Sequence, residues 1–141
     1  MIKTASQRFY PLRILRPSLS NANMKTVYYG IIRSLLEYCA PLFVGISITD
    51  SKRLDKIQRR FHRLLCGSTC LENCLQPLDE RRAELSLRLL RAAMDEDHIL
   101  HRDLPARSIS GRFILPLRRT ERRGKSFFLC ASKLFDASFQ R

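Results

Sequence analysis

The sequence predicts a small, mainly α-helical module of about three principal helices, followed by a C-terminal tail of short extended pieces and a short helix. Apolar residues recur at helical spacing in three segments, and prolines and glycines divide the last third of the chain into shorter pieces. Hydrophobic residues make up 45% of the 141 residues, which is enough for a core. We therefore divide the chain into a helical module, 1–97, and a basic tail, 98–141, that packs on the same module.

The first principal helix is predicted from about Asn21 to Tyr38. Its apolar residues recur three and four positions apart, and they are Met24, Val27, Tyr28, Ile31, Leu35 and Tyr38. Ser20 and Asn21 are candidates for the N-cap, and Pro41 should end the helix. Gly30 destabilises a helix interior by about 1 kcal/mol relative to alanine. Its presence indicates the close approach of a neighbouring element.

The second predicted helix, Lys52–Cys66, separates its charges from its apolar residues. At about 100° per residue, five apolar side chains fall within an arc of about 100°, and six basic side chains occupy roughly the opposite 120°. The apolar set is Leu54, Ile57, Phe61, Leu64 and Leu65. The basic set, called the basic face below, is Lys52, Arg53, Lys56, Arg59, Arg60 and Arg63. One side of this helix should pack on the core while the other meets anions.

Other boundaries follow from capping residues and prolines. Thr49 and Asp50 are the predicted caps of the basic helix, which should run antiparallel to the first helix. Asp79 is the predicted cap of a third helix that ends near Met94 and carries apolar residues on two sides. Near the start of the chain, Pro11 has no amide to donate and should limit any helix to one side of it.

The tail is predicted to contain two extended stretches, Arg112–Leu117 and Lys125–Cys130, and a short helix around Ala131–Ala137. A second basic cluster lies between apolar stretches and consists of Arg118, Arg119, Arg122, Arg123 and Lys125. Phe127 and Phe128 follow this cluster. They could stack on unpaired bases, although paired phenylalanines more often belong to a core.

The charge of the chain points to a polyanionic partner. Lys and Arg number 26 against 13 Asp and Glu, so the net charge is +13. Such an excess favours nucleic acid or an anionic membrane surface and gives an attraction that salt weakens. For the basic face, we weigh three interpretations: a solvated surface that keeps the protein soluble, contact with phosphates, and contact with an anionic membrane or an acidic protein. We favour phosphates, bound as RNA or DNA largely without sequence preference, because arginine binds phosphate in bidentate geometry.

Neither a metal site nor an enzyme is predicted. His62, Cys66, Cys70 and Cys74 recur four positions apart, but Gly67 should break the helix, and the spacing matches no common zinc knuckle or finger. No spacing requires a histidine to lie within reach of a nucleophile. We therefore expect no catalytic residue, no metal ligand and no cofactor.

No segment approaches the roughly 18–20 apolar residues of a membrane span, and the first residues lack an apolar run of signal-peptide length. We expect an intracellular protein, nuclear or cytoplasmic. The five cysteines, an odd number without a secretory signal, should then be reduced thiols.

Four pieces of the sequence together resemble a known family. In order, they are TVYYGIIRSLLEYCAPLF at Thr26–Phe43, RLDKIQRRFHRLL at Arg53–Leu65, LDERRAELSLRLL at Leu78–Leu90 and LRRTERRGKSFFLCASKLFD at Leu117–Asp136. This arrangement resembles the C-terminal region that follows the reverse-transcriptase domain in non-LTR (LINE-type) retrotransposon polyproteins of animals. The chain departs from the family pattern where members usually carry tryptophan, because Phe43 and Phe135 stand there instead.

The resemblance implies a non-catalytic module that helps to hold template RNA or target DNA beside a parent polymerase domain. The family's metal-binding aspartates belong to a Tyr-x-Asp-Asp motif, and this chain contains no such motif. An alternative is a structural element that packs on the parent polymerase, or a decayed retroelement remnant, with no binding activity of its own.

Overall fold

Helices dominate the computed structural model, which describes residues 2–66, 75–117 and 120–138. The predicted mainly α-helical class is confirmed. The helices are α1 (Ile2–Leu15), α2 (Asn21–Tyr28), α3 (Ser34–Glu37), α4 (Ile48–Cys66), α5 (Leu78–Ala93), α6 (Glu121–Gly124) and α7 (Phe127–Ser138).

The described residues group into two units. The first unit comprises those of Met1–Tyr38 and Ser47–Leu78, and the second comprises those of Cys39–Ile46 and Asp79–Arg141. The first unit therefore contains α1 to α4, and the second contains most of α5 together with α6 and α7. The predicted partition into 1–97 and 98–141 is a different one, and it stays a prediction about domains.

Helix α1 continues through Pro11, so the prediction that proline would limit it was wrong. Ala5 and Leu12 are both fully buried, and they lie two turns apart on the same side of the helix. Pro11 is exposed, so its ring meets solvent rather than a neighbouring element. Burial of the opposite side outweighs the one backbone hydrogen bond that proline forgoes.

The segment predicted as one helix from Asn21 to Tyr38 contains a π-helical turn at Tyr29–Arg33 between α2 and α3. Ser20 caps α2 as predicted, because its Oγ accepts a hydrogen bond from the Asn23 amide at 3.2 Å. In the π turn, the Ser34 amide donates to the Tyr29 carbonyl five residues earlier.

This wider turn changes which apolar residues are buried. The buried stripe recurs every four residues and consists of Met24, Tyr28, Ile32 and Leu36. Ile31 and Tyr38, which share the predicted apolar spacing, are 40% and 72% exposed. The close approach predicted at Gly30 was wrong, because an added Cβ there would meet nothing within 4 Å. A constant helical pitch cannot anticipate a π turn, and this turn shifts the phase of the stripe.

Helix α4 begins earlier than predicted. Ser47, rather than Thr49 or Asp50, caps it, because the Asp50 amide donates to Ser47 Oγ at 3.1 Å. The Ser47 hydroxyl in turn donates to the Asp50 carboxylate at 2.8 Å, so the cap residue and Asp50 are joined by two hydrogen bonds. Thr49 lies inside the first turn.

Helix α4 packs on α2 and contacts the π turn that follows it, in the predicted antiparallel sense. The Tyr28 ring stacks on the Phe61 ring, with 3.9 Å between the ring centroids and 8° between their planes. Five residues after Tyr28, Arg33 donates to the Gln58 side chain at 2.8 Å. The contact moves forward along the first segment, from Tyr28 to Arg33, and backward along α4, from Phe61 to Gln58. The two segments therefore run in opposite directions.

The second unit has its own core, formed by Leu90 of α5, Phe113, and Ala131 and Phe135 of α7. The predicted extended stretch Lys125–Cys130 was wrong, because α7 already begins at Phe127. The buried residues of α7 are Leu129, Ala131, Ser132 and Phe135, a helical pattern that a six-residue apolar run does not reveal.

Helix α5 begins at Leu78, so Asp79 lies in its first turn rather than at the N-cap. A carboxylate there still complements the positive end of the helix. Ala92 is exposed, and Leu85 and Leu89 are half-buried. The predicted coverage of α5 on two sides is therefore partial.

The predicted extended stretch Arg112–Leu117 forms no regular strand. Across a tight turn before α6, Arg107 and Phe113 form an isolated antiparallel bridge. Gly111 closes the turn with a φ of +79°, which glycine adopts without the steric cost that a Cβ adds. Gly45, earlier in the same unit, leaves no room for a side chain because an added Cβ would overlap the Lys125 carbonyl.

Candidate nucleic-acid interface

The basic face of α4 is exposed along its whole length, as the sequence predicted. All six of its side chains lie in solvent, and they are Lys52, Arg53, Lys56, Arg59, Arg60 and Arg63. Leu54, Ile57, Phe61 and Leu65 are buried on the other side. The structure therefore brings six of the predicted site residues together on one helix. Leu64 is half-buried at the boundary between the two sides.

The charges of the basic face have almost no anionic partners in the part of the chain that the structure describes. Arg53 forms an ion pair with Asp50 at 3.2 Å, and both side chains are largely exposed. The remaining five cations form no hydrogen bond or ion pair with another described residue. Exposed cations without internal partners attract external anions in a salt-dependent way.

Arg16, which sequence reasoning missed, binds the C-terminal end of α4. Its Nε donates to the Leu64 carbonyl at 2.9 Å, and its Nη2 donates to the Leu65 carbonyl at 3.1 Å. A guanidinium at this end of a helix satisfies free carbonyls and complements the negative pole of the helix dipole. This contact joins the chain just after α1 to α4.

A cleft of about 530 Å³ lies between α1 and α4, next to the basic face. We call it the arginine cleft, and its lining residues are Phe9, Arg13, Arg60, Arg63 and Leu64. Sequence reasoning assigned neither Phe9 nor Arg13 to a site. The spacing of four between them indicates a shared helical side, but only the packing of α1 on α4 shows which residues they face.

Arg33 differs from the arginines of the interface because it is buried. It forms an ion pair with Glu37 and donates to the Gln58 side chain at 2.8 Å and to the Gln76 carbonyl at 2.9 Å. Burial raises the pKa of the neighbouring Tyr28 to about 12, although the Arg33 charge offsets part of that rise. Arg33 is therefore a structural residue within the first unit.

The second predicted basic cluster is described only in part. Arg118 and Arg119 lie outside the described residues, as does the side chain of Arg122. Arg123 is exposed. Lys125 forms an ion pair with Glu121, and this contact lowers the pKa of the Glu121 carboxyl below its usual range.

The structure supports a core position for Phe127. It packs against the core of the second unit. Phe128 meets it edge to face at 5.2 Å. Phe127 is thus held by protein contacts, as is usual for paired phenylalanines.

The residues considered for zinc are described only in part. Cys70 and Cys74 lie outside the described ranges. His62 is half-buried on α4, and Cys66 is the last residue of that helix. Among the residues that the structure describes, no three His, Cys, Asp or Glu side chains are grouped closely enough to hold a metal ion.

Across residues 2–66, 75–117 and 120–138, no helix has both the length and the apolar character needed to cross a membrane. Comparison of the chain with models of protein families, with curated proteins and with solved structures finds no match.

Proposed function

We propose that this chain is a non-catalytic module that binds the phosphates of RNA or DNA on the basic face of α4. One observation carries this proposal: six exposed cations lie on one side of a helix whose other side is buried, and only one of them pairs with a carboxylate of a described residue. Solubility alone does not require a surface so strongly of one sign.

The chemistry of the face suits phosphates better than bases. Four of its six cations are arginines, which form two parallel hydrogen bonds to phosphate oxygens. Contacts to phosphates position a strand without reading its sequence. The module should therefore bind with little sequence preference, and exposed Arg123 could add a further contact.

The resemblance to the C-terminal region of LINE-type reverse transcriptases agrees with this proposal and suggests its setting. In that setting, a parent polymerase domain would carry out synthesis, and this module would hold RNA or DNA beside it. The module itself has no Tyr-x-Asp-Asp motif, and we infer that it contributes binding rather than catalysis.

The direct test is filter binding of the purified chain to a single-stranded RNA and to a DNA duplex at increasing salt. If all six cations contact phosphates, the logarithm of the affinity for a single strand should fall against the logarithm of the salt concentration with a slope of about −4. Vesicles rich in phosphatidylserine provide the comparison for the membrane interpretation. Affinity that is insensitive to salt, or tighter binding to the vesicles than to RNA, would contradict the proposal.

Exposed apolar residues on α1 favour one second candidate, a structural element that packs on a parent polymerase. Tyr10 and Ile14 are 66% and 59% exposed and lie on the side of α1 opposite buried Leu12. Two such side chains one turn apart would contribute to a larger apolar surface of the kind that another protein covers. A chain that fails to bind RNA and DNA at low salt would favour this candidate.

A further inference from the structure

We propose that the arginine cleft takes one unpaired nucleotide of a bound strand, with the base stacked on Phe9 and the adjoining phosphates held by Arg13, Arg60 and Arg63. This inference rests on the proposed function and deepens it. It makes single-stranded nucleic acid, rather than duplex, the preferred partner.

The cleft is a feature of the first unit, where hydrogen bonds hold α1 to its neighbours. Arg16, just after α1, binds carbonyls near the end of α4, and Arg8, in the middle of α1, donates to the Ile31 carbonyl at 3.1 Å. The volume of about 530 Å³ lies within the range of about 300–1,000 Å³ that small ligands occupy in proteins. A nucleotide fits that range.

The lining of the cleft combines one aromatic ring with three positive charges. Phe9 is half-buried, so part of its ring remains open to the cleft. The three arginines make no hydrogen bond or ion pair with a described residue, and none of the described lining residues carries a carboxylate. Uncompensated guanidinium groups around an exposed aromatic ring match a base flanked by phosphates.

This arrangement distinguishes a single strand from a duplex. Every unpaired base has a face that can stack on phenylalanine, and each such stack strengthens binding about 5- to 150-fold. In a duplex, the bases are already stacked and paired, so their faces are not available to Phe9. The basic face can bind the phosphates of both forms, whereas Phe9 can stack only on the bases of the single strand.

The tryptophan fluorescence of a Phe9→Trp variant measures whether the cleft is occupied. The chain contains no tryptophan, so the new indole can be excited selectively. We expect a mixed-sequence single-stranded RNA to quench this emission in proportion to binding, and the same sequence as a duplex to bind without quenching it. Equal quenching by the duplex would overturn the inference. A free mononucleotide that quenches as strongly as the strand at equal nucleotide concentration would also overturn it.

The Phe9→Leu variant removes the ring but keeps an apolar side chain against the helix. We expect a 5- to 150-fold loss of affinity for single-stranded RNA, about the contribution of one stack, and less than a twofold change for the duplex. Circular dichroism and the melting temperature of both Phe9 variants should match those of the parent. If Phe9→Leu does not fold, quenching in Phe9→Trp still decides the inference.

Matched charge removals complete the test. Arg13→Gln should weaken single-strand binding more than duplex binding, because Arg13 lines the cleft. Arg59→Gln removes the same charge from the basic face outside the cleft and should weaken both forms alike. If both nucleic acids bind in a salt-dependent way and neither Phe9 nor Arg13 affects their ratio, the inference fails while the proposed function stands. If the parent binds neither nucleic acid, both are overturned.

Discussion

The rings of Tyr28 and Phe61 lie parallel, with centroids 3.9 Å apart, and both side chains are fully buried. This stack joins α2 to the C-terminal half of α4. Because Phe61 anchors the apolar side of α4, it also determines which way the basic face points.

Phe61→Ala should lower the free energy of unfolding by about 3–5 kcal/mol, because it removes a buried ring and leaves a cavity beside Tyr28. Such a loss is a large fraction of the stability of a small protein. Urea unfolding followed by circular dichroism measures it. Tyr38→Ala is the control, because that ring is 72% exposed and its removal should change stability by less than about 0.5 kcal/mol. Equal losses in the two variants would contradict the packing described here.

Alkaline pH should destabilise the protein through Tyr28. Burial raises its pKa from 10.0 to about 12 in the folded state. The folded state therefore holds the phenolic proton more tightly than the unfolded state does. The stabilisation is complete below pH 10 and is lost as the pH rises to about 12. In the parent, the free energy of unfolding should fall by on the order of 2–3 kcal/mol over that interval, and Tyr28→Phe should abolish this fall. The same fall in parent and variant would show that other groups cause it.

Arg33 should tolerate substitution poorly despite its position outside the interface. Arg33→Met removes the guanidinium beside Glu37 and a donor from both Gln58 and Gln76, and we expect a loss of about 3–5 kcal/mol. Replacing Glu37 by Leu in the same chain should recover part of that loss, since the carboxylate that has lost the Arg33 guanidinium is then gone. Chemical denaturation of both variants measures the difference. A double variant less stable than the single one would refute this account.

Pro11→Ala should stabilise the protein by about 1–3 kcal/mol, because alanine restores a backbone donor inside α1 and the exposed position loses no packing. Thermal melting gives the comparison. Pro17→Ala serves as the control, since Pro17 stands at the start of a short 3₁₀ turn where its missing amide costs little. A lower melting temperature for Pro11→Ala would show that the proline is needed where it lies.

The sequence predicted those features that depend on strong local periodicity. Helix α4 was recognised because its charges and apolar residues separate at a constant pitch, and its basic face is exposed as expected. The stacking of Tyr28 on Phe61 and the grouping of Phe9 with Arg60 depend on tertiary packing, for which neither segment carries a local signal.

Local rules failed where tertiary contacts outweighed them. Helix α1 continues through Pro11 because Leu12 is buried, although a proline by itself predicts a break in the helix. The apolar run that contains Phe127 and Phe128 is compatible with a strand or with a buried helix. It forms a helix because it packs on the core of the second unit.

The central claim is that the basic face binds phosphates, and a triple substitution of Arg59, Arg60 and Arg63 to Gln tests it. Exposed charges contribute little to stability, so the melting temperature should stay nearly unchanged. The salt dependence of binding to single-stranded RNA should become less steep by about 2 in the log–log slope, because three phosphate contacts are lost.

The matched control replaces Arg88, Arg91 and Arg102, three exposed arginines of the second unit, by Gln and removes the same total charge. The decisive measurement is the affinity of both triple variants for one single-stranded RNA across a salt titration. We predict weaker binding and a flatter salt dependence for the α4 variant, with the control close to the parent. If the α4 variant binds like the parent, or if the control loses as much affinity, the basic face is only a solvated surface and the proposed function is wrong.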